Sequence, residues 1–160
     1  MIAAVISGVL LALSFPTAIG SFSFSLSSLA WFGLVPAYLS LKSASARGAF
    51  WRGVGVGFPL YLVSLYWIFI ALHTYGEVAG TLSLLTLLLL ALILAGFLGV
   101  TFYLTVRLSR FGIPMGLLLV TGWLTQDWCR NYFPFGGFSW SSLAYSQGNF
   151  LSLLQIADLT

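Results

Sequence analysis

The sequence predicts an all-α polytopic membrane protein, a bundle of about five transmembrane helices plus the start of a sixth, and three observations carry that prediction. Hydrophobic residues make up 60% of the 160 and charged ones only 6%, where a water-soluble domain needs roughly 25% to cover its surface. The charges are also unevenly placed: none precedes Lys42, and over residues 53–106 the only one is Glu77. Between charges and chain breakers the apolar residues gather in runs that approach the roughly 20 residues a bilayer span requires. Backbone in hydrocarbon has no partner but itself, so each run is predicted to be helical.

Residues 2–15 form the first run, short and broken by Pro16. It has neither the basic leader nor the small-residue cleavage pattern of a signal peptide, so it is expected to stay in the membrane. The second, residues 24–41, reads FSLSSLAWFGLVPAYLSL, and Pro36 is predicted to kink it. Residues 53–72 are a third run, 78–106 a long fourth and 113 to about 128 a fifth. Residues 150–159 open a sixth, inside which the sequence stops. Small residues recur every four positions at Ala4, Gly8 and Ala12, at Gly53 and Gly57, and at Ala91, Ala95 and Gly99. Such stripes let helices approach closely in lipid, so they are read as packing faces within one bundle, with homodimer contact as the alternative. No repeat, linker or low-complexity tract divides the chain, and residues 1–160 are read as one domain or part of one.

Orientation follows from the bases. Lys42, Arg47 and Arg52 flank one loop and Arg107 with Arg110 lies in another, while the alternate loops are free of Lys and Arg except for Arg130. The positive-inside bias puts the two basic loops and the N-terminus in the cytoplasm. Residues 73–80 and the GGFSW loop within residues 130–149 then face outward.

The groups that could carry chemistry are few. The formal charge of +3 is spread singly between apolar runs and forms no patch, so no nucleic-acid partner is expected. His73 has no second histidine or neighbouring cysteine, so no metal site and no cofactor are expected; an interfacial hydrogen bond is the plainer reading and headgroup contact the sharper one. Asp127 and Arg130 stand three apart on one helical face and are read as a structural ion pair, which offsets the cost of a charge near the membrane. Cys129, the only cysteine, is read as packing. Ser139 in GFSWS lacks the last glycine of a nucleophile elbow and has no His/Asp partners. No catalytic residue is assigned.

Several stretches taken together resemble a known family. LSFP at 13–16, LAWFGLVP at 29–36, LYWIFIALHTYG at 65–76, DWCRN at 127–131, FPFGGFSW at 133–140 and LAYSQ at 143–147 are similar, in order and spacing, to the membrane-embedded N-terminal part of the bacterial apolipoprotein N-acyltransferases. The resemblance implies location in the bacterial inner membrane. It further implies a role in transferring an acyl chain from a membrane phospholipid to the amino terminus of a diacylglyceryl-modified lipoprotein, both of which would be partners. In the family that chemistry belongs to a nitrilase-like domain with a Glu-Lys-Cys triad. Nothing here matches the triad, so the chain is expected to be truncated at its C-terminus and inactive alone. The family usually has Glu where Asp127 stands and Pro where Ser139 stands, so a shorter carboxylate reach and a less rigid loop are expected.

Within that resemblance the stretch GGFSWSSLAYSQ acquires a role. A loop that admits a diacylglycerol moiety needs aromatic faces for acyl chains and polar groups for ester and phosphate oxygens at headgroup depth. Trp140, Ser141, Tyr145 and Gln147 supply those types, with Tyr66, Trp67, His73 and Tyr75 expected on the adjoining rim. Generic interfacial anchoring of Trp and Tyr is the competing reading. Trp31, in the second run, is expected to lie outside the groove. The rival functions are a stand-alone lipid-binding or scaffold protein that recruits a separately encoded catalytic domain, and a small transporter.

Overall fold

The computed structural model describes residues 1–19, 22–24, 26–133, 136–148, 150, 152 and 155. Among the described residues the regular structure is helical, with one small exception. Helix α1 spans Ile2–Ser14 and stops at Phe15, which is extended (φ −77°, ψ 146°) because a residue preceding proline is driven out of the helical region. After Pro16 comes an antiparallel hairpin of two three-residue strands, β1 (Thr17–Ile19) and β2 (Phe22–Phe24), with Thr17 opposite Phe24 and Ile19 opposite Phe22. The sequence places residues 16–23 between its first two helical runs and predicts no strand there; a proline followed by β-branched and aromatic residues favours the short paired strands.

The second predicted run is not one kinked helix. It is two short ones, α2 (Leu29–Phe32) and α3 (Val35–Leu41), and Pro36 sits in the first turn of α3, where its missing N–H costs nothing. The next free donor of that turn, the Ala37 N–H, is capped across the bundle by Ser7 Oγ of α1 at 2.8 Å. Helix α4 (Ala46–Ser64) starts seven residues before the predicted third run. Ser45 fixes that start by accepting from the Gly48 N–H at 3.1 Å.

The third run also ends differently. The chain breaks at Leu65 (φ −109°, ψ 11°), then continues as α5 (Tyr66–Ile70) and a π-helical turn (Ala71–Tyr75), bent 49° from α4. Helix α6 (Gly80–Ser109) and helix α7 (Met115–Arg130) match the predicted fourth and fifth runs to within three residues at each end, and a 3₁₀ segment follows at Leu143–Gln147. Residues 150–159, the predicted sixth run, lie mostly outside the described residues. Among the described residues α6 alone is an unbroken helix long and apolar enough to cross a membrane, and α4 with α5 and its π turn makes a second if the bent pair is taken as one span. Helix α1, at 13 residues, is only about 20 Å long at 1.5 Å per residue.

Helix α4 is central, packed against α6 on one side and α1 on the other, with α7 on α6 and α3 on α1. The small-residue stripes make these contacts. A Cβ on Gly8 would run into the Val56 carbonyl and Pro59 of α4, and one on Gly53 into the Leu98 backbone of α6. The core between the helices contains Ala4, Leu11, Val56, Leu60, Ala91, Ala95, Leu98 and Phe102, all at most 1% exposed.

Candidate functional site

At the end of α7 the chain turns back on itself. The Phe138 N–H donates to the Arg130 carbonyl at 2.6 Å, and the turn between them uses two left-handed glycines, Gly136 (φ 86°) and Gly137 (φ 121°). Gly137 also passes so close to the Asn131 carbonyl that no Cβ fits there. This return carries residues 138–142 over the top of the helical bundle.

What it lands on is a polar cluster around a buried cation. Arg130 is 1% exposed, and its Nη2 lies 2.5 Å from Asp127 Oδ1. Its Nη1 donates to the Trp140 carbonyl at 3.1 Å, and the guanidinium sits over the Tyr61 ring, 5.3 Å from its centroid. Asp127 is equally occupied: Oδ1 also accepts from Gln126 Nε2 at 2.6 Å, and Oδ2 from Ser142 Oγ at 3.2 Å. The aspartate at this position thus reaches both its ion-pair partner and the returning loop. Among the described buried atoms, Arg130 Nε, Gln126 Oε1 and Trp123 Nε1 have no hydrogen-bond partner.

The loop also meets the break between α4 and α5. Ser141, in a left-handed conformation (φ 64°), places its hydroxyl 3.0 Å from that of Ser64, the last residue of α4. Just past the break, the Trp67 indole meets the Trp140 indole edge to face, with centroids 5.5 Å apart and planes at 61°. Trp140 is 56% exposed, so the pair forms an open aromatic rim and not a core contact.

The eight residues expected at a lipid groove are placed unequally. Trp140 and Trp67 are brought together, and Tyr66 and Tyr145 are also exposed. Gln147 is committed within the chain, donating to the Ser27 carbonyl at 3.1 Å and accepting from Trp31 Nε1 at 3.3 Å. Trp31 is therefore tied to the GGFSWSSLAYSQ stretch, against the expectation that it lies apart from it. His73 closes its own turn, its Nδ1 3.0 Å from the Val78 carbonyl and its ring against Phe69, while Tyr75 projects outward at 82% exposure. Among the described residues no group of three His, Cys, Asp or Glu is placed to hold a metal.

Two apolar crevices open elsewhere. One, of about 710 Å³, lies between α6 and α7 and is lined by Phe97, Val100, Leu104, Gly122, Gln126 and Cys129 among others. The other, of about 430 Å³, lies between α3 and α7 under Tyr38, Trp123 and Leu143. None of the eight predicted residues lines either crevice; the links to the loop are Gln126, beside Asp127, and Leu143. Sequence reasoning missed Tyr61, Ser64, Gln126 and Ser142. Their partners lie up to 77 residues away, and a hydroxyl or amide in an apolar run gives no sign of which distant loop it will meet.

Comparison with known proteins places this arrangement. Residues 7–160 match the family profile described as the apolipoprotein N-acyltransferase N-terminal domain. An apolipoprotein N-acyltransferase of Geobacter metallireducens is 38% identical over 157 residues, covering 98% of this chain and 29% of that protein. Those of Azotobacter vinelandii and Pseudomonas putida are 39% and 35% identical over 127 residues, covering 78% of this chain and 24% and 25% of theirs. The chain thus spans between a quarter and a third of the Geobacter relative and about a quarter of the other two. With the family profile matched over nearly its whole length, the chain belongs to the apolipoprotein N-acyltransferase family.

Proposed function

We propose that the chain is the membrane-embedded N-terminal part of an enzyme that moves an acyl chain from a phospholipid to the amino terminus of a diacylglyceryl-modified lipoprotein, and that it positions the lipids while the reacting groups lie outside residues 1–160. Its relatives are named apolipoprotein N-acyltransferases and are a little over three times as long. The observation that carries the positioning role is the Trp67–Trp140 pair, an exposed aromatic rim set on a buried, charged foundation.

The outer surface fits a bilayer. Helix α6 shows Leu82, Leu85, Leu89, Leu92 and Val100 to its surroundings, and α7 shows Leu117, Val120 and Leu124. Exposed hydroxyls on these faces are tied to their own backbone: Thr86 donates to the Leu82 carbonyl, Thr121 to Leu117 and Thr125 to Thr121. In this reading α1, the α2–α3 pair, the bent α4–α5 unit, α6 and α7 are the five membrane passages. The basic loops and the N-terminus face the cytoplasm and the GGFSW loop faces outward, in the bacterial inner membrane.

The test replaces Trp140 by Tyr and by Ala after residues 1–160 are exchanged for the corresponding N-terminal part of a complete relative whose turnover can be measured. Trp51 serves as the control, since it is exposed on α4 and its ring contact is with the adjacent Phe50. The expected result is a loss in kcat or a rise in phospholipid KM at position 140, with unchanged expression, and little effect at position 51. Equal effects at both, or effects on protein level alone, reduce Trp140 to an interfacial anchor.

A further inference from the structure

We infer that Arg130 is a positioning residue for the outer rim: its guanidinium, fixed by Asp127, holds the Trp140 carbonyl and so sets the Trp140 ring against Trp67. Only the last link, from rim to lipid, rests on the function proposed above.

Arg130 does more than neutralise Asp127. One ion pair on one helix would be satisfied by Asp127 and Arg130 alone, three residues apart on α7. Instead each partner also holds the returning loop, Arg130 through the Trp140 carbonyl and Asp127 through the Ser142 hydroxyl. The two bonds straddle Ser141, whose left-handed conformation turns its hydroxyl to Ser64 at the end of α4. A guanidinium is needed for this because it is a flat fork that donates along two directions at once, here to a carboxylate through Nη2 and to a carbonyl through Nη1. The guanidinium carbon also lies over the Tyr61 ring, 5.3 Å from its centroid, so the ring limits how far the fork can swing. Lysine carries the same charge on a single point and cannot reproduce the fork. Burial makes each of these bonds costly to lose, since at 1% exposure Arg130 has little access to water that could replace a lost partner.

The position of the rim then depends on a side chain that never reaches it. Trp140 is held by its backbone from below while its ring is free to face outward, and Trp67 stands at the start of α5, immediately beyond the Leu65 break. The loop and the bent helix are thus registered against each other by one cation, and anything seated on the rim feels the geometry of both.

The test uses the whole chain in nanodiscs of phosphatidylethanolamine and phosphatidylglycerol, with Cys129→Ala, Ser64→Cys and Ser141→Cys introduced. The native hydroxyls are 3.0 Å apart, so two cysteines there report loop registration by the rate at which they form a disulfide. Arg130→Lys is expected to slow that rate about tenfold, the effect of losing one hydrogen bond to a charged group, with helicity retained. The exchanged pair Asp127→Arg with Arg130→Asp keeps an ion pair but turns a carboxylate toward the Trp140 carbonyl, so it too should cross-link slowly. Should either variant unfold, Asp127→Leu with Arg130→Met supplies an uncharged substitute of similar volume, and slow cross-linking is again expected. Native cross-linking rates in Arg130→Lys or in the exchanged pair overturn the proposal, and so does unfolding of all three variants, which would make Arg130 a folding residue. A second reading, quenching of Trp140 fluorescence by brominated phosphatidylglycerol taken as the difference from Trp140→Phe, should fall together with the cross-linking rate. If that quenching is absent from the unaltered chain while the cross-linking pattern holds, the lipid role of the rim fails and the positioning role of Arg130 stands.

Discussion

The Gln147 amide and the Trp31 indole, 116 residues apart in sequence, are joined by a hydrogen bond of 3.3 Å, and the same amide donates to the Ser27 carbonyl at 3.1 Å. One side chain thereby fastens the 3₁₀ segment to the start of α2. Because the indole–amide contact is exposed, Trp31→Phe should cost only about 0.5–1 kcal/mol, and Gln147→Ala should cost more because it also gives up the part-buried bond to the Ser27 carbonyl. Their effects should be strongly non-additive, since either change removes the same bond. A double-mutant cycle on detergent melting measures this, and additive losses would show that the two side chains do not interact.

Helix contacts give an opposed pair of glycine predictions. A Cβ at Gly57 would lie 2.7 Å from the Ala95 Cα of α6, backbone against backbone, whereas at Gly96 it would meet nothing within 4 Å. Gly57→Ala is expected to push α4 from α6 and destabilise by about 1–3 kcal/mol. Gly96→Ala should stabilise by up to about 1 kcal/mol, as alanine does when it replaces glycine in an unobstructed helix. Melting of both variants in one detergent decides it, and equal shifts would mean that α4 and α6 are not packed through Gly57.

How much of this was legible in the sequence varied by element. Helices α6 and α7 were, because long apolar runs bounded by charges leave hydrocarbon-exposed backbone no other choice. The close-packing stripes at Gly8, Gly53 and Gly57 were too, since their spacing marks one helical face. The break at Leu65 was not: the sequence there, VSLYWIF, is apolar and aromatic apart from Ser64 and holds no Pro or Gly, and the one local breaker, Pro59, stays inside α4 without ending it. The strands at residues 17–19 and 22–24 were not, since they fall almost wholly in the stretch between the first two apolar runs, where three-residue strands are too short to show an alternating pattern. In the candidate site the pairing of Asp127 with Arg130 could be proposed from their spacing, but the Trp140 carbonyl as a partner could not. A backbone carbonyl has no sequence signature, and its arrival depends on the Gly136–Gly137 turn.

The membrane orientation is open to direct measurement. In a Cys129→Ala background, cysteines at Ser43 and Phe111, both exposed and flanking the basic loops, should resist a membrane-impermeant thiol reagent in intact cells. A cysteine at Tyr75, the most exposed aromatic beyond α5, should be labelled. The rationale is the bias of Lys42, Arg47, Arg52, Arg107 and Arg110 toward the cytoplasm. The reverse pattern would invert the orientation and put the Trp67–Trp140 rim on the cytoplasmic side.

The last prediction concerns Cys129. The 160-residue chain, purified from a host lacking its own enzyme, is expected to show no acyl transfer from phospholipid to a diacylglyceryl peptide. Covalent acyl transfer needs a nucleophile with a base in hydrogen-bond reach and an orienting third group. Cys129 faces the apolar crevice between α6 and α7, among side chains such as Phe97, Thr125 and Phe133. The nearest carboxylate along the chain, Asp127, is engaged by Arg130, Gln126 and Ser142, so it is poorly placed to accept a thiol proton. His73 is committed to the Val78 carbonyl in its own turn, and the single lysine, Lys42, lies near the Tyr38 ring at the end of α3. Cys129→Ala should therefore leave the behaviour of the chain unchanged, with a packing loss of at most about 1 kcal/mol for one small half-buried side chain. The assay is mass spectrometry of the peptide after incubation with phospholipid vesicles. N-acylated peptide that disappears with Cys129→Ala would make this thiol a nucleophile and move the chemistry into the crevice between α6 and α7.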